Sequence, residues 1–292
     1  MKSKTKKVLF VVLATFILII LYLMIYQPKA KESIIFFPID ENARFLSADT
    51  LLTFEGKKKK NHYQTDWKIT SKLDQEAYLR QDIGFLYING RLHGMMNEWT
   101  QKTDQIVEEK GLKGKESSLL QGISFHYAEI HQNEDEITSA QRMSSDSLYV
   151  IDSNFSQLNS FREPENASEK EWKIILDKVT NQQMDFALEK GLQQSGLNLD
   201  QYDTYLLTEM TQFNDKPIPP FTIEQTAKII GNLWEGLYKN YFLGLKKEDG
   251  TNVNALGSTI PLILVSKDQS HLYVLIITHS NEAITLKQII SI

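Results

Sequence analysis

The chain of 292 residues contains no cysteine. This absence excludes a disulfide scaffold, a thiol nucleophile and any zinc or iron–sulfur site that depends on cysteine ligands. The sequence also lacks a P-loop, a G-x-G-x-x-G dinucleotide motif and a G-x-S-x-G nucleophile motif. We therefore expect no cofactor and no metal, and the balance of the sequence leans away from an enzyme without deciding the point.

An excess of basic residues is also absent. Lys and Arg number 32 against 37 Asp and Glu, and four of the lysines lie in residues 1–7. The remaining residues, 8–292, therefore carry a net charge of −9. Proteins that bind nucleic acid generally present a basic surface, so we expect no nucleic-acid partner.

One long apolar run stands out in this mildly acidic chain. The 19 residues from Val8 to Tyr26 are uncharged, and as a helix they measure about 28 Å, close to the hydrocarbon thickness of a bilayer. Tyr22 and Tyr26 lie near the end of the run, where amphipathic rings favour the lipid headgroups. The run predicts a single transmembrane helix that contacts the bilayer through residues 8–26.

The alternative to a retained anchor is a cleaved signal peptide. A secretory hydrophobic region is usually about 7–15 residues long and ends at a pair of small residues, whereas this run is longer and ends in Leu-Met-Ile-Tyr. We therefore favour a signal-anchor. Four lysines precede the run, so the positive-inside rule places the N-terminus in the cytoplasm and the bulk of the chain outside.

The rest of the sequence predicts an α+β ectodomain with a mixed, mainly antiparallel sheet and two long packed helices. The order of elements is β-rich, then helical, then β-rich, which is typical of α+β rather than alternating α/β folds. The predicted segments are a cytoplasmic head at 1–7, the anchor at 8–26, a stalk and first strand at 27–49, a β-rich lobe at 50–160 and a helix–helix–sheet lobe at 161–292. The two lobes are compatible with a single domain.

Within the first lobe, the strongest local signal is Asn89-Gly90 between two β-prone runs, which predicts a two-residue hairpin turn. We also expect a helix over Glu98–Lys110, between strands. The further predicted strands are Ser33–Phe37, Leu51–Phe54, His62–Thr70, Gly84–Ile88, Arg91–Met96, Ile123–His131 and Leu148–Ile151.

Within the second lobe, two capping-box patterns predict where long helices begin. Ser168 with Glu171 marks the first, and Thr222 with Gln225 marks the second, which is apolar over a wide face up to Leu245. A short helix is expected at Gln201–Met210. The predicted C-terminal strands are Pro261–Val265, Leu272–Thr278 and Ala283–Ile292, and the first two have the apolar character of strands covered on both faces.

Candidate sites are few, and each has a plain structural interpretation. The six histidines show no recognised metal-ligand spacing. If Ile123–His131 is one strand, His126 and His131 point to opposite faces, while Glu129 and His131 share a face. A metal or acid–base role for Glu129 and His131 competes with a simple polar pair on a solvated sheet face, which we favour.

Two other groups of residues are candidates for contact with a ligand or partner. The run Lys57, Lys58, Lys59 and Lys60 is suited to an anionic surface of lipid or wall polymer, although a solvated hairpin loop is the simpler interpretation. Trp234, Tyr238 and Tyr241 form either a partner-binding aromatic face or part of the core. Their helical spacing favours the core.

These features predict a membrane-anchored extracytoplasmic protein of the bacterial cell envelope that binds or scaffolds another envelope or membrane protein, without catalysis. One alternative is an anchored envelope hydrolase that uses carboxylate or His–carboxylate catalysis. Another is a subunit of a secretion or conjugation apparatus.

Overall fold

The computed structural model describes residues 35–56, 62–132, 136–247 and 250–291. One compact unit extends from Ile34 to Ile292. The predicted membrane span at Val8–Tyr26 lies outside the described residues. Among the helices that are described, none has both the length and the apolar character needed to cross a bilayer.

The fold is dominated by antiparallel sheet, with 52% of the described residues in strands. The first sheet has six strands, in which β2 is bordered by β3 on one edge and by β1 and β4 on the other, and β4 continues to β5 and β6. Its strands are β1 (Phe45–Phe54), β2 (Tyr63–Ile88), β3 (Arg91–Gly114), β4 (Ser118–His131), β5 (Ile137–Ser153) and β6 (Ser156–Phe161).

The hairpin of β2 and β3 is the longest feature of this sheet. Its turn is Asn89-Gly90, with φ of 49° and 78°, as the type I′ interpretation of the sequence requires. The predicted helix over Glu98–Lys110 is wrong, because these residues form the middle of β3 and pair with β2 along most of its length. Tertiary pairing overrides a weak local helix preference here.

The predicted first strand at Ser33–Phe37 is not found in its described part. Residues 35–38 belong to no strand or helix, and Ile39 makes only an isolated bridge to Ser139. Ordered pairing begins at Phe45, so β1 includes the predicted strand Leu51–Phe54 as its end.

The first sheet folds over on itself at the middle of β2. The register of β2 with β3 shifts between Lys72 and Ala77, and such an irregularity bends a strand. As a result, Trp67 and Ile69 from the first half of β2 approach Gly84 in its second half. A side-chain Cβ at Gly84 would lie only 2.3 Å from the Ile69 Cδ1 atom, so glycine is required for the two layers to meet.

The second sheet has the strand order β12-β11-β10-β7 and is entirely antiparallel. Its strands are β7 (Tyr202–Leu206), β10 (Leu262–Ser266), β11 (His271–Ile277) and β12 (Ala283–Ile289). A small ribbon of β8 (Leu245–Lys246) and β9 (Asn252–Val253) lies between β7 and β10 in sequence. All five residues of β10 are buried, as its continuous apolar character predicted. The predicted helix at Gln201–Met210 is wrong over its first half, which is β7, and the 3₁₀ segment Leu207–Phe213 follows.

Two α-helices complete the unit. The first, α1 (Ala167–Ser195), begins at Asn166, whose side-chain oxygen accepts a hydrogen bond from the Glu169 amide. The predicted start at Ser168 is therefore two residues too late. The second, α2 (Ile223–Leu237), begins at the predicted Thr222–Gln225 capping box and continues as a π-helical turn, Tyr238–Phe242.

The main core joins residues from both halves of the sequence. The Trp234 ring of α2 stacks between Phe85 of β2 and Phe125 of β4, with centroid distances of 5.6 and 5.1 Å. Ile263 of β10 and Ile276 of β11 belong to the same buried cluster. Helix α2 is thus packed between the two sheets.

Candidate functional site

A row of hydrogen-bonded polar side chains runs through the folded first sheet, from the buried Asp82 and His126 to the half-buried Ser144. Asp82 on β2 lies opposite His126 on β4, and the Asp82 Oδ2 atom is 2.8 Å from the His126 Nδ1 atom. The His126 Nε2 atom lies 2.7 Å from the Ser144 hydroxyl on β5. Neighbouring strands therefore bring together three residues that are far apart in sequence.

The geometry fixes a consistent pattern of protons. A carboxylate only accepts hydrogen bonds, so with neutral His126 the Nδ1–H donates to Asp82 and the Nε2 atom accepts from the Ser144 hydroxyl. This is the connectivity of a Ser–His–Asp catalytic triad. The Ser144 oxygen also lies 2.7 Å from the Thr50 hydroxyl of β1, so the hydroxyl has partners on two sides.

Arg80 supplies a positive charge next to this chain. Its guanidinium donates hydrogen bonds to the Ser71 hydroxyl and to the carbonyls of Asp104 and Tyr127, and it lies 3.8 Å from the Asp82 carboxylate. Burial lowers the pKa of Arg80, while the charge of Asp82 opposes that effect. The two buried charges offset one another, as buried ions generally must.

Glu108 on β3 lies at the border of the same region. Burial raises the pKa of its carboxyl to about 8, and the negative charges of Asp82 and Glu98 add to the effect. Its Oε1 atom is buried without a hydrogen-bond partner. Glu108 is therefore largely protonated at neutral pH, which spares the interior another negative charge.

Access decides what this constellation can do. Arg80, Asp82 and His126 have 0% exposure, and Thr50 of β1 covers the Ser144 hydroxyl from the other side. A catalytic triad needs a nucleophile that a substrate can reach. In this structure the hydrogen bonds between these side chains instead link β1, β2, β4 and β5.

Glu129 and His131 are found together, as their spacing predicted. The Glu129 Oε1 and His131 Nε2 atoms are 2.5 Å apart, and both side chains are partly exposed. The Tyr78 ring stacks on His131 with a centroid distance of 3.9 Å. The structure confirms that His126 points to the opposite face. Within the described ranges, no group of three or more His, Asp or Glu side chains is arranged to hold a metal ion.

The aromatic candidates of α2 and the following turn lie in the core. Trp234, Tyr238 and Tyr241 are all buried, and the Tyr241 hydroxyl bonds to the Ser258 hydroxyl at 2.8 Å. These rings therefore present no surface to a partner. The other candidates, namely Val8, Tyr22, Tyr26, Lys57, Lys58, Lys59 and Lys60, lie outside the described residues.

Sequence reasoning missed Asp82, Ser144 and Arg80. The available signal was polar residues at alternate positions on inward-facing sides of strands, such as Arg80 and Asp82 on β2 or Ser124 and His126 on β4. That pattern normally marks a solvated face, and only the folding of the sheet over itself turns it inward.

Among the described strands, β3 has the longest edge without a partner strand. Near its start, the Leu92 amide and carbonyl bond to Ser258 and Gly257. From Gly94 to Gly114, which we call the β3 edge, no strand other than β2 pairs with β3 in the part of the chain that the structure describes. Trp99 and Val107 are exposed along this stretch.

No family model, curated protein or solved structure matches the chain.

Proposed function

We propose that this protein is a membrane-anchored, extracytoplasmic binding or scaffolding protein of the bacterial cell envelope, and that it holds a protein partner along the β3 edge. The anchor in this proposal is the apolar run Val8–Tyr26, with the N-terminus in the cytoplasm. An anchor of this kind confines the folded unit to the membrane surface and raises its effective concentration for partners there.

The observation that carries the binding proposal is the length of the β3 edge. Strands in globular proteins usually have about 3–10 residues, whereas β3 has 24. An unpaired edge presents a row of backbone donors and acceptors to which an extended segment of another chain adds as a further strand. Natural edges of this length are normally shortened, covered or paired, so a partner strand accounts for this one.

The surface of the β3 edge suits a peptide better than a bilayer or a polyanion. It carries acids such as Glu98 and Glu109 together with bases such as Lys110 and Lys113, so neither sign of charge dominates. The exposed side chains of Trp99 and Val107 supply apolar contacts for alternate side chains of an added strand.

A hydrolase is less well supported, although Asp82, His126 and Ser144 have triad connectivity. His126 and Asp82 are fully buried, and Ser144 is also bonded to Thr50. General base catalysis requires the base to reach a proton on or next to the substrate. That requirement favours a structural role for the chain of hydrogen bonds.

The test places a photo-reactive residue at Val107 of the full-length protein in the source cells. We expect irradiation to give one discrete adduct in the membrane fraction. Glu109→Pro and Lys110→Pro are the matched pair, because neighbouring residues of a strand direct their amides to opposite edges. Of these two variants, the one that loses an amide directed to the outer edge of β3 should abolish the adduct and retain the far-UV circular dichroism spectrum.

The control carries the photo-reactive residue at Ile289, an exposed position on β12. Equal adducts from Ile289 and Val107 would contradict binding at the β3 edge. Deleting residues 1–31 separately tests the anchor, since the truncated protein should leave the membrane fraction.

A further inference from the structure

We propose that the outer edge of β12, together with the groove beside it, binds an extended acidic segment of another protein as an added strand. Strand β12 (Ala283–Ile289) is the last strand of the second sheet, and only β11 pairs with it in the part of the chain that the structure describes. The site is on a different sheet from the β3 edge, and the inference does not depend on the partner proposed there.

The hydrogen bonds at the two ends of β12 show which backbone groups face outward. The Ala283 amide bonds to the Gln194 side chain of α1, whereas the Ile290 amide bonds to the carbonyl of the residue just before β11. Amide directions alternate along a strand, so the amides and carbonyls of Thr285 and Lys287 face away from β11. An extended segment adds to a sheet edge through groups of this kind.

Two cavities follow one another along this edge, and together we call them the β12 groove. The first has a volume of about 430 Å³ and is lined by residues 283–285, with Lys246 and Lys247. The second has a volume of about 300 Å³ and is lined by residues 286–288, with α2 residues that include Asn232. Consecutive residues of a strand point to opposite faces, so a cavity lined by three in a row lies at the edge of the strand.

The β12 groove is basic, although residues 8–292 as a whole carry a net charge of −9. The charged residues that line it are four lysines and two glutamates, namely Lys239, Lys246, Lys247, Lys287, Glu235 and Glu282. Each glutamate is already paired with a lysine, Glu282 with Lys247 at 2.6 Å and Glu235 with Lys239 at 2.5 Å. The other two lysines form no ion pair with a described residue, so acidic side chains complement the groove.

The second cavity also offers apolar contacts. Leu233 of α2, Val274 of β11 and Leu286 of β12 line it. Side chains alternate between the two faces of an added strand, so a segment with acidic and apolar residues at alternate positions matches the groove. An anionic wall polymer would use only the positive charge, whereas a peptide uses the charge, the apolar contacts and the backbone edge.

The experiment measures binding of a fluorescein-labelled peptide, Glu-Val-Glu-Val-Glu-Val-Glu, to full-length protein in detergent micelles by fluorescence anisotropy. We expect the affinity to fall as salt is raised and to exceed that of the peptide with lysine in place of glutamate at least tenfold. Equal affinity of the two peptides would contradict recognition by charge.

Two further forms of the acidic peptide test strand addition. One is N-methylated at the valines and the other at the glutamates, so both keep the charge. Only alternate residues of an added strand direct their amides to β12, so one of the two forms should bind at least tenfold more weakly than the unmodified peptide. Equal affinity of all three forms would show that the groove binds polyanions without regard to the peptide backbone, which would overturn the proposal.

Two pairs of variants locate the binding to the β12 groove. Thr285→Pro removes an outward amide and should weaken peptide binding at least tenfold, whereas Thr285→Val keeps the amide and should not. Lys246→Gln should weaken binding, whereas Lys190→Gln, at an exposed position of α1 outside the groove, should not. Melting temperatures show whether each variant is folded, and the N-methylated peptides decide the point if Thr285→Pro is not.

The β3-edge variants Glu109→Pro and Lys110→Pro should bind the acidic peptide as wild type does. Loss of binding in either would place the peptide at the β3 edge and overturn this proposal. Failure of the acidic peptide to bind, or equal affinity of folded Thr285→Pro and Thr285→Val, would also overturn it and would leave the adduct expected at Val107 unaffected. Ile289 lines neither cavity, so the control position for that adduct lies outside the β12 groove.

Discussion

At the scale of single residues, the interior of the first sheet is unusual for the number of ionisable groups it holds. Asp82, Arg80 and His126 are fully buried, and each is bonded or close to an opposite or complementary group. Removing one member of such a set leaves another without its partner, which costs more than the intact set contributes. Glu108 differs from them because its neighbours Asp82 and Glu98 have the same charge.

Glu108 should make the protein less stable as the pH rises. Its pKa is about 8 in the folded state, against an ordinary value of 4.5. Between these values the folded state holds a proton that the unfolded state has lost, so the free energy of unfolding falls with increasing pH. The contribution is fully present below pH 4.5 and is lost as the pH passes through 8.

Urea unfolding of wild type and Glu108→Gln at several pH values checks this prediction. The neutral amide cannot ionise, so the variant should gain stability relative to wild type as the pH rises from 5 to 8.5. Glu109→Gln, the exposed neighbour, serves as the control. Parallel stability curves for wild type and Glu108→Gln would show that Glu108 does not titrate in this range.

At the scale of elements, the capping pattern in the sequence locates the start of α2 but not the start of α1. The Thr222–Gln225 box marks the start of α2 as the sequence predicts. For α1, the Asn166 side chain binds the Glu169 amide at 3.0 Å, and the Glu169 carboxylate in turn accepts the Glu165 amide. Asn is as good an N-cap as Ser, so the sequence contains two overlapping N-cap signals. The prediction from the sequence used Ser168, whereas the cap in the structure is Asn166.

Substitutions at the two competing positions should give different results. Asn166→Ala should lower the free energy of unfolding by about 1 kcal/mol, since it removes the cap of α1. Ser168→Ala should change it little, because Ser168 is exposed within the first turn and alanine is a better helix former. Chemical denaturation followed by circular dichroism measures both, and a larger loss for Ser168→Ala would place the start of α1 at Ser168 instead.

At the scale of the whole molecule, the predicted division at residue 160 does not separate the core. Phe85 and Phe125 come from the first half, whereas Trp234 and Ile263 come from the second, and all four belong to one buried cluster. Because each half completes the apolar surface of the other, we expect residues 34–292 to unfold cooperatively.

The prediction is a single urea transition that coincides when followed by tryptophan fluorescence and by far-UV circular dichroism. Ile263→Ala in β10 should shift the midpoint of both probes equally, by a loss of about 3 kcal/mol for a buried isoleucine. Leu86→Ala, in the separate cluster between the layers of the first sheet, provides the comparison. Two resolved transitions, each sensitive to only one variant, would contradict a shared core.

The sequence by itself determined the features that depend on neighbours along the chain. The Asn89-Gly90 turn, the start of α2 and the buried strand β10 follow from local backbone preferences and from continuous or periodic apolar residues. The apolar run Val8–Tyr26 and the basic residues before it are likewise local, and they remain the basis for the proposed anchor.

Only the tertiary structure decided the features that depend on contacts between distant segments. Glu98–Lys110 is a strand because β2 offers it a full-length partner. Asp82, His126 and Ser144 meet because β2, β4 and β5 are neighbouring strands of one sheet. Period-2 alternation in the sequence shows which residues share a face, but burial of that face depends on what packs against it.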